Sequence, residues 1–167
     1  MFNGLKSFLQ EIRYFFSSLN ILIDLKNKKP KIIFFSENKS YQKYSKYIID
    51  SICSICSDQI YYFSLDKEDK IENKRVKNYF VNSLLISFIF NNLKAQNIFL
   101  TVTDLGNNLI KKTKNIDKYI YYFHSPVSTT KNYTTKAFDN YDVIMCNGQF
   151  QIDEIRSREN QKKLDKK

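Results

Sequence analysis

Apolar residues recur in steps of three and four near the start of the chain: Leu5, Phe8, Leu9, Ile12, Phe15, Phe16, Leu19, Leu22 and Ile23. Lys6, Ser7, Gln10, Glu11, Arg13, Ser17 and Ser18 fall mostly off that line. The spacing predicts an amphipathic helix. It is nearly long enough to span a bilayer, but Lys6, Glu11 and Arg13 forbid a transmembrane reading. Two readings stay open: a helix in a membrane interface or on a partner domain, or a helix packed on this chain's own sheet. A sheet covered on both faces has no need of it, so it is expected to stand apart or pack lightly. Lys26, Lys28 and Lys29 then lead to Pro30, which divides a first unit, 1–29, from a domain at 30–160 and a polar basic tail at 161–167.

After Pro30 short apolar runs alternate with helical stripes. Ile32 to Phe35, Ile60 to Leu65, Tyr79 to Val81, Ile98 to Val102, Tyr119 to Phe123 and Val143 to Met145 read as six strands. Ser40 is placed to cap a helix whose stripe is Tyr41, Tyr44, Tyr47, Ile48, Ile52 and Ile55. Further helices are expected at Ser83 to Leu93, near Thr130 to Phe138, and from about Gln149. Strands that are apolar on both faces and alternate with helices predict a parallel sheet covered on both sides. The expected fold class is α/β and Rossmann-like.

Composition narrows the class without naming a function. A chain of 167 residues with 43% hydrophobic content suits one globular domain, and its 3 glycines and 2 prolines exclude a linker or low-complexity chain. The net charge of +10 is spread in Lys-Lys pairs and accompanies no nucleic-acid-binding motif, so no nucleic-acid partner is expected. The same charge suits anionic lipid or a phosphate-bearing ligand. Cys53, Cys56 and Cys146, with no recognisable signal segment, predict a reduced, cytoplasmic setting. Cys53 and Cys56 lack a second ligand pair and read as structural cysteines, so no metal is expected.

In parallel sheets ligands bind beyond the carboxyl ends of the strands. Three turns therefore carry the candidate chemistry: Ser36-Glu37-Asn38, Thr103-Asp104-Leu105-Gly106, and His124-Ser125-Pro126-Val127-Ser128. With glycines only at 4, 106 and 148 there is no dinucleotide fingerprint and no phosphate-cradling loop, so no cofactor is expected. A Gly-x-Ser-x-Gly nucleophile elbow is also missing. His124, the one histidine, has two readings, a proton acceptor facing a cleft or a satisfied residue at a strand boundary. Asp104 likewise either binds substrate or shapes the turn before Gly106. Asp139 and Asp142 read as turn-formers.

The ordered set Thr103-Asp104-Leu105-Gly106, Phe123-His124-Ser125-Pro126-Val127-Ser128-Thr129, Ala137-Phe138-Asp139-Asn140-Tyr141-Asp142, Gly148 and Glu154-Ile155-Arg156 resembles the amino-terminal half of the CDP-glycerol glycerophosphotransferase family, over roughly residues 31–160. The resemblance implies one half of a GT-B architecture, in which two Rossmann-like domains face a cleft at the cytoplasmic membrane face. It also implies a CDP-activated polyol phosphate donor and a polymer acceptor, and favours His124 as catalytic base. Asp104 is the substrate-binding candidate of its turn, and Ser125, Ser128 and Thr129 are candidates either to bind the substrate's phosphate or to cap the following helix. Where the teichoic-acid polymerases show Trp-His-Gly-Thr-Pro, this chain has Phe-His-Ser-Pro-Val, which implies a different donor or acceptor. The donor-binding second domain of that family would begin where this sequence ends, so an acceptor-side domain inactive alone is expected. The alternative is a stand-alone module that binds a membrane surface, through its first helix, or an anionic ligand.

Overall fold

The computed structural model describes residues 2–107 and 110–167, with the side chains of the first helix described from Tyr14 onward. Its centre is a six-stranded, all-parallel sheet in the order β3-β2-β1-β4-β5-β6. The strands are β1 (Ile32–Ser36), β2 (Ile60–Ser64), β3 (Val76–Phe80), β4 (Ala95–Leu100), β5 (Ile116–Tyr122) and β6 (Val143–Met145). The helices are α1 (Phe2–Leu25), α2 (Gln42–Ile55), α3 (Ile86–Asn92), the single turn α4 (Thr129–Asn132) and α5 (Gln149–Lys162). The chain winds outward from β1 to β3, then crosses back to β4 and winds the other way. This is the doubly wound, Rossmann-like arrangement, and its direction changes between β1 and β4.

Strand side chains alternate between faces, so two apolar layers are needed, and the sequence supplies both. Ile33, Phe35, Phe63, Ile98, Leu100, Tyr119 and Tyr121 form one layer, beneath α1, α3 and α5. Phe34, Tyr62, Phe99, Ile120 and Tyr122 form the other, beneath Ile49 and Cys53 of α2. Across β1 and β4, Phe34 and Phe99 stack with centroids 4.4 Å apart, a pairing that adds about 1 kcal/mol to their burial.

Several boundaries differ from expectation. Ser40 does not cap α2, which has no side-chain cap; Asn38 instead caps a 3-10 turn over Lys39–Tyr41 that precedes it, its Oδ1 accepting from the Ser40 amide at 2.9 Å. β4 starts earlier than its apolar run because the small and polar Ala95, Gln96 and Asn97 are held by main-chain bonds to Asn115, Pro30 and Lys31. α3 starts three residues late, since Asn82 Oδ1 accepts the Leu84 amide and holds a turn there. The stretch expected as a helix to Phe138 is helical only through Asn132 and continues as turns closed by Ala137, Asp139 and Tyr141. The tail folds back: Lys167 Nζ donates to the Tyr141 carbonyl at 2.6 Å and the Lys167 amide to Glu159 at 3.0 Å.

From Tyr14 on, α1 does not stand apart. Ile21 and Leu25 are 2% and 4% exposed in the core of the α1–α3 side. Ser18 is fully buried: its hydroxyl donates to the Tyr14 carbonyl at 2.9 Å and accepts the Asn82 amide at 2.9 Å, just past β3. The inward face is thus centred on Ser18, Ile21 and Leu25, while Phe16 and Ile23 of the expected stripe point outward. The side chains of Leu5, Phe8, Leu9 and Ile12 lie outside those described. Among the described residues no helix is long and apolar enough to cross a membrane.

Candidate functional site

Where the winding reverses, the chains leaving β1 and β4 diverge and leave a crevice beyond their carboxyl ends. An open cleft of about 620 Å³ lies there, lined by Glu37, Tyr41, Ser87, Thr101, Val102, Thr103, His124 and Tyr133. Glu37 follows β1 directly, Thr101 to Thr103 follow β4, and His124 lies two residues beyond β5. Tyr41 comes from the 3-10 turn and Ser87 from α3. The Tyr141 hydroxyl donates to the Val102 carbonyl and fixes the exit of β4 beneath the cleft.

His124 is partly exposed, with Tyr41 edge-on to its ring at 4.8 Å and Tyr44 at 6.1 Å. Its Nδ1 is buried and makes no hydrogen bond within the protein. Burial holds the imidazole below its ordinary pKa, so it is neutral at pH 7 and able to accept a proton. Burial pushes the Glu37 carboxyl up, and burial with the nearby Glu37 and Tyr133 pushes the Tyr41 phenol up. Thr101 Oγ1 and the Tyr121 hydroxyl are also buried without a protein partner. Burial raises the Tyr121 phenol, and the cleft residues Tyr133 and Tyr41 add to the effect. Among the described residues these three are the buried side-chain polar atoms left unpaired, and two belong to residues lining one cleft. Among the described residues no lysine or arginine lines it. The cleft offers hydroxyls, one carboxyl and one imidazole.

The other site residues expected from sequence are differently engaged. Asp104 sits in the turn with a left-handed φ of 56°, its amide donating to the Ala137 carbonyl at 2.9 Å and its Oδ1 accepting from Thr134 Oγ1 at 2.8 Å. Gly106, at φ 94°, closes the same turn, and a Cβ there would come within 3.1 Å of Asn140. The Ser125 carbonyl accepts from Gln151 at 3.2 Å. Ser128 caps α4 and donates to Glu154 at 2.8 Å, and Thr129 Oγ1 donates to the same carboxylate at 2.6 Å. Those bonds from Thr129 and Ser128 hold Glu154 below the usual carboxylate range. The anion at the start of α4 is therefore the chain's own, and neither Ser128 nor Thr129 reaches the cleft.

Sequence reasoning did not single out Tyr41, Ser87, Thr101 or Tyr133. Glu37 stood inside a turn already marked as a strand exit, which was the available signal. Cys53 is buried and Cys56 half-buried, both as free thiols, and no group of three potential ligands is placed to hold a metal among the described residues.

No family model, curated protein or solved structure matches this chain. Fold and cleft alone define its class: a Rossmann-like α/β domain with a hydroxyl-lined crevice at the reversal of its sheet.

Proposed function

We propose that this chain is the acceptor-side domain of a CDP-glycerol glycerophosphotransferase-like enzyme, and that its cleft receives the terminal hydroxyl of a polyol-phosphate polymer. The observation that carries this reading is the partly exposed, neutral imidazole of His124 in the lining of a cleft that no described lysine or arginine lines. A neutral imidazole within reach of a hydroxyl takes its proton as the oxygen attacks. The attacked centre is the glycerol-bearing phosphorus of CDP-glycerol: a new P–O bond forms to the acceptor, the P–O bond to CMP breaks, and CMP leaves with the electron pair. Charge stabilisation of that phosphoryl group needs cations. The described lining has none, and in this reading the donor's contacts lie elsewhere.

His124 is the only histidine, so its imidazole NMR signal is unambiguous. Titrating the chain with short glycerol-phosphate oligomers bearing a free terminal hydroxyl is expected to move that signal, and CDP-glycerol is expected to leave it in place. The chain alone is expected to release no CMP. A shift with CDP-glycerol and none with the oligomer would overturn the reading.

A further inference from the structure

Glu37 is the one acidic residue in the described lining of the cleft, and the fold makes no use of its carboxyl. Its neighbours are committed to the turn that leaves β1. The buried Ser36 hydroxyl donates to the Asn38 carbonyl at 3.0 Å, and Asn38 Oδ1 accepts the Ser40 amide at 2.9 Å. Glu37, held between them, is half-buried in the cleft wall. Burial alone pushes its carboxyl up, and among the described residues no hydrogen bond or cation opposes that. A half-buried carboxyl without a donor carries a cost that a ligand hydroxyl would relieve. Tyr41 connects it to His124. The Tyr41 ring stands edge-on to the imidazole at 4.8 Å, while burial first and then the Glu37 charge raise the Tyr41 phenol. Two proton-accepting groups, an imidazole and a carboxyl, therefore line one cleft with a single phenol beside both.

Building on the reading of this cleft as the acceptor site, we propose that Glu37 is its specificity-determining residue. Its carboxyl accepts the hydroxyl on the carbon next to the attacking one, so the cleft selects an acceptor that ends in a vicinal diol. The free end of a glycerol-phosphate polymer has that form: a primary hydroxyl for His124 and a secondary hydroxyl one carbon away. A carboxylate accepts from a hydroxyl and repels a phosphate, so the neutral end of the chain enters first. Held at two oxygens, that end no longer turns about its last bond, and the attacking oxygen stays beside the imidazole. A site built to bond a hydroxyl rejects the analogue without it, because its own polar group is then left unpaired.

The test compares two glycerol-phosphate oligomers, one ending in glycerol and one ending in a 3-hydroxypropyl group, which keeps the primary hydroxyl and lacks the secondary one. Binding is followed by the His124 imidazole signal in NMR. The wild-type chain is expected to bind the hydroxypropyl-ended oligomer about tenfold more weakly, the effect of one hydrogen bond to a charged group. Glu37→Ala is expected to bind the glycerol-ended oligomer about tenfold more weakly than wild type and to bind both oligomers alike. A merely structural role would weaken both oligomers and keep the difference between them. If the variant melts early, the wild-type comparison decides alone. Equal wild-type binding of the two oligomers, or a tenfold preference that survives in Glu37→Ala, overturns the proposal and leaves the acceptor reading standing. If neither oligomer moves the His124 signal of the wild-type chain, the acceptor reading fails and this role of Glu37 with it.

Discussion

The carboxyl ends of β2 and β5 are both polar, but they are built to opposite rules. At β2, Asp69 is 2% exposed and accepts from the Tyr62 hydroxyl at 2.9 and 3.0 Å and from Ser64 Oγ at 2.9 Å. Nearby, Tyr122 and Ser45 hydroxyls pair at 2.7 Å. At the β4 and β5 exits, Thr101 Oγ1 and His124 Nδ1 have no protein partner. A buried polar group left unpaired costs about 1–3 kcal/mol, so folds complete such groups unless something else is to complete them. The first cluster holds the sheet together. The second leaves two buried polar atoms without a protein partner beside the cleft.

That contrast is most easily broken at Asp69. Asp69→Ala removes the shared acceptor of Tyr62 and Ser64 and strands two buried hydroxyls, and a loss of about 3 kcal/mol is expected in urea unfolding. An effect under 1 kcal/mol would mean that the β2 cluster is not what secures this end of the sheet. Glu154→Ala should cost less, about 1–2 kcal/mol, because the carboxylate is half exposed although it ties Ser128 and Thr129. Its contribution is present above the unfolded carboxylate range and falls away as pH drops through the lowered folded value, so wild type and variant should converge in acid.

His124 sharpens the comparison from the other side. Its folded pKa is depressed by burial, so below pH about 6.5 the unfolded chain binds a proton that the folded chain resists, and stability falls. His124→Phe should match wild type at pH 7 within about 0.5 kcal/mol and lose that acid sensitivity. A variant as acid-sensitive as wild type would show the imidazole to be paired after all. Thr101→Val is the smallest change: a hydroxyl with no partner is removed, and stability should stay level or rise slightly. A clear loss would reveal a bond to Thr101 and weaken the case for an open cleft.

The parallel sheet was legible in the sequence because runs such as Ile32 to Phe35 and Tyr119 to Phe123 are apolar at every position, which only a sheet covered on both sides requires. The three polar strand exits were legible for the same reason. Which side chains share the cleft was not. It depends on β4 returning to lie beside β1, so that Glu37 and Thr101 meet although they are far apart in the chain. Ser128 caps α4, one of the two roles open to it, but its tie with Thr129 to Glu154 was out of sight because that carboxylate comes from a helix one strand later. For α1 the helical period was plain, but residues are apolar on more than one side of it. Periodicity could not say that Ile21 and Leu25 would face inward and Ile23 outward.

Ser18 decides that orientation. A helix with apolar residues around most of its girth can roll on an apolar bed at little cost, since one greasy side chain replaces another. A buried hydroxyl cannot be exchanged so freely. Turning α1 by a single residue, about 100°, would pull Ser18 away from the Asn82 amide and press a hydrocarbon against that buried N–H instead. One serine thus acts as a rotational stop, fixing the azimuth of α1 from Tyr14 onward and with it which of those side chains the outside world meets.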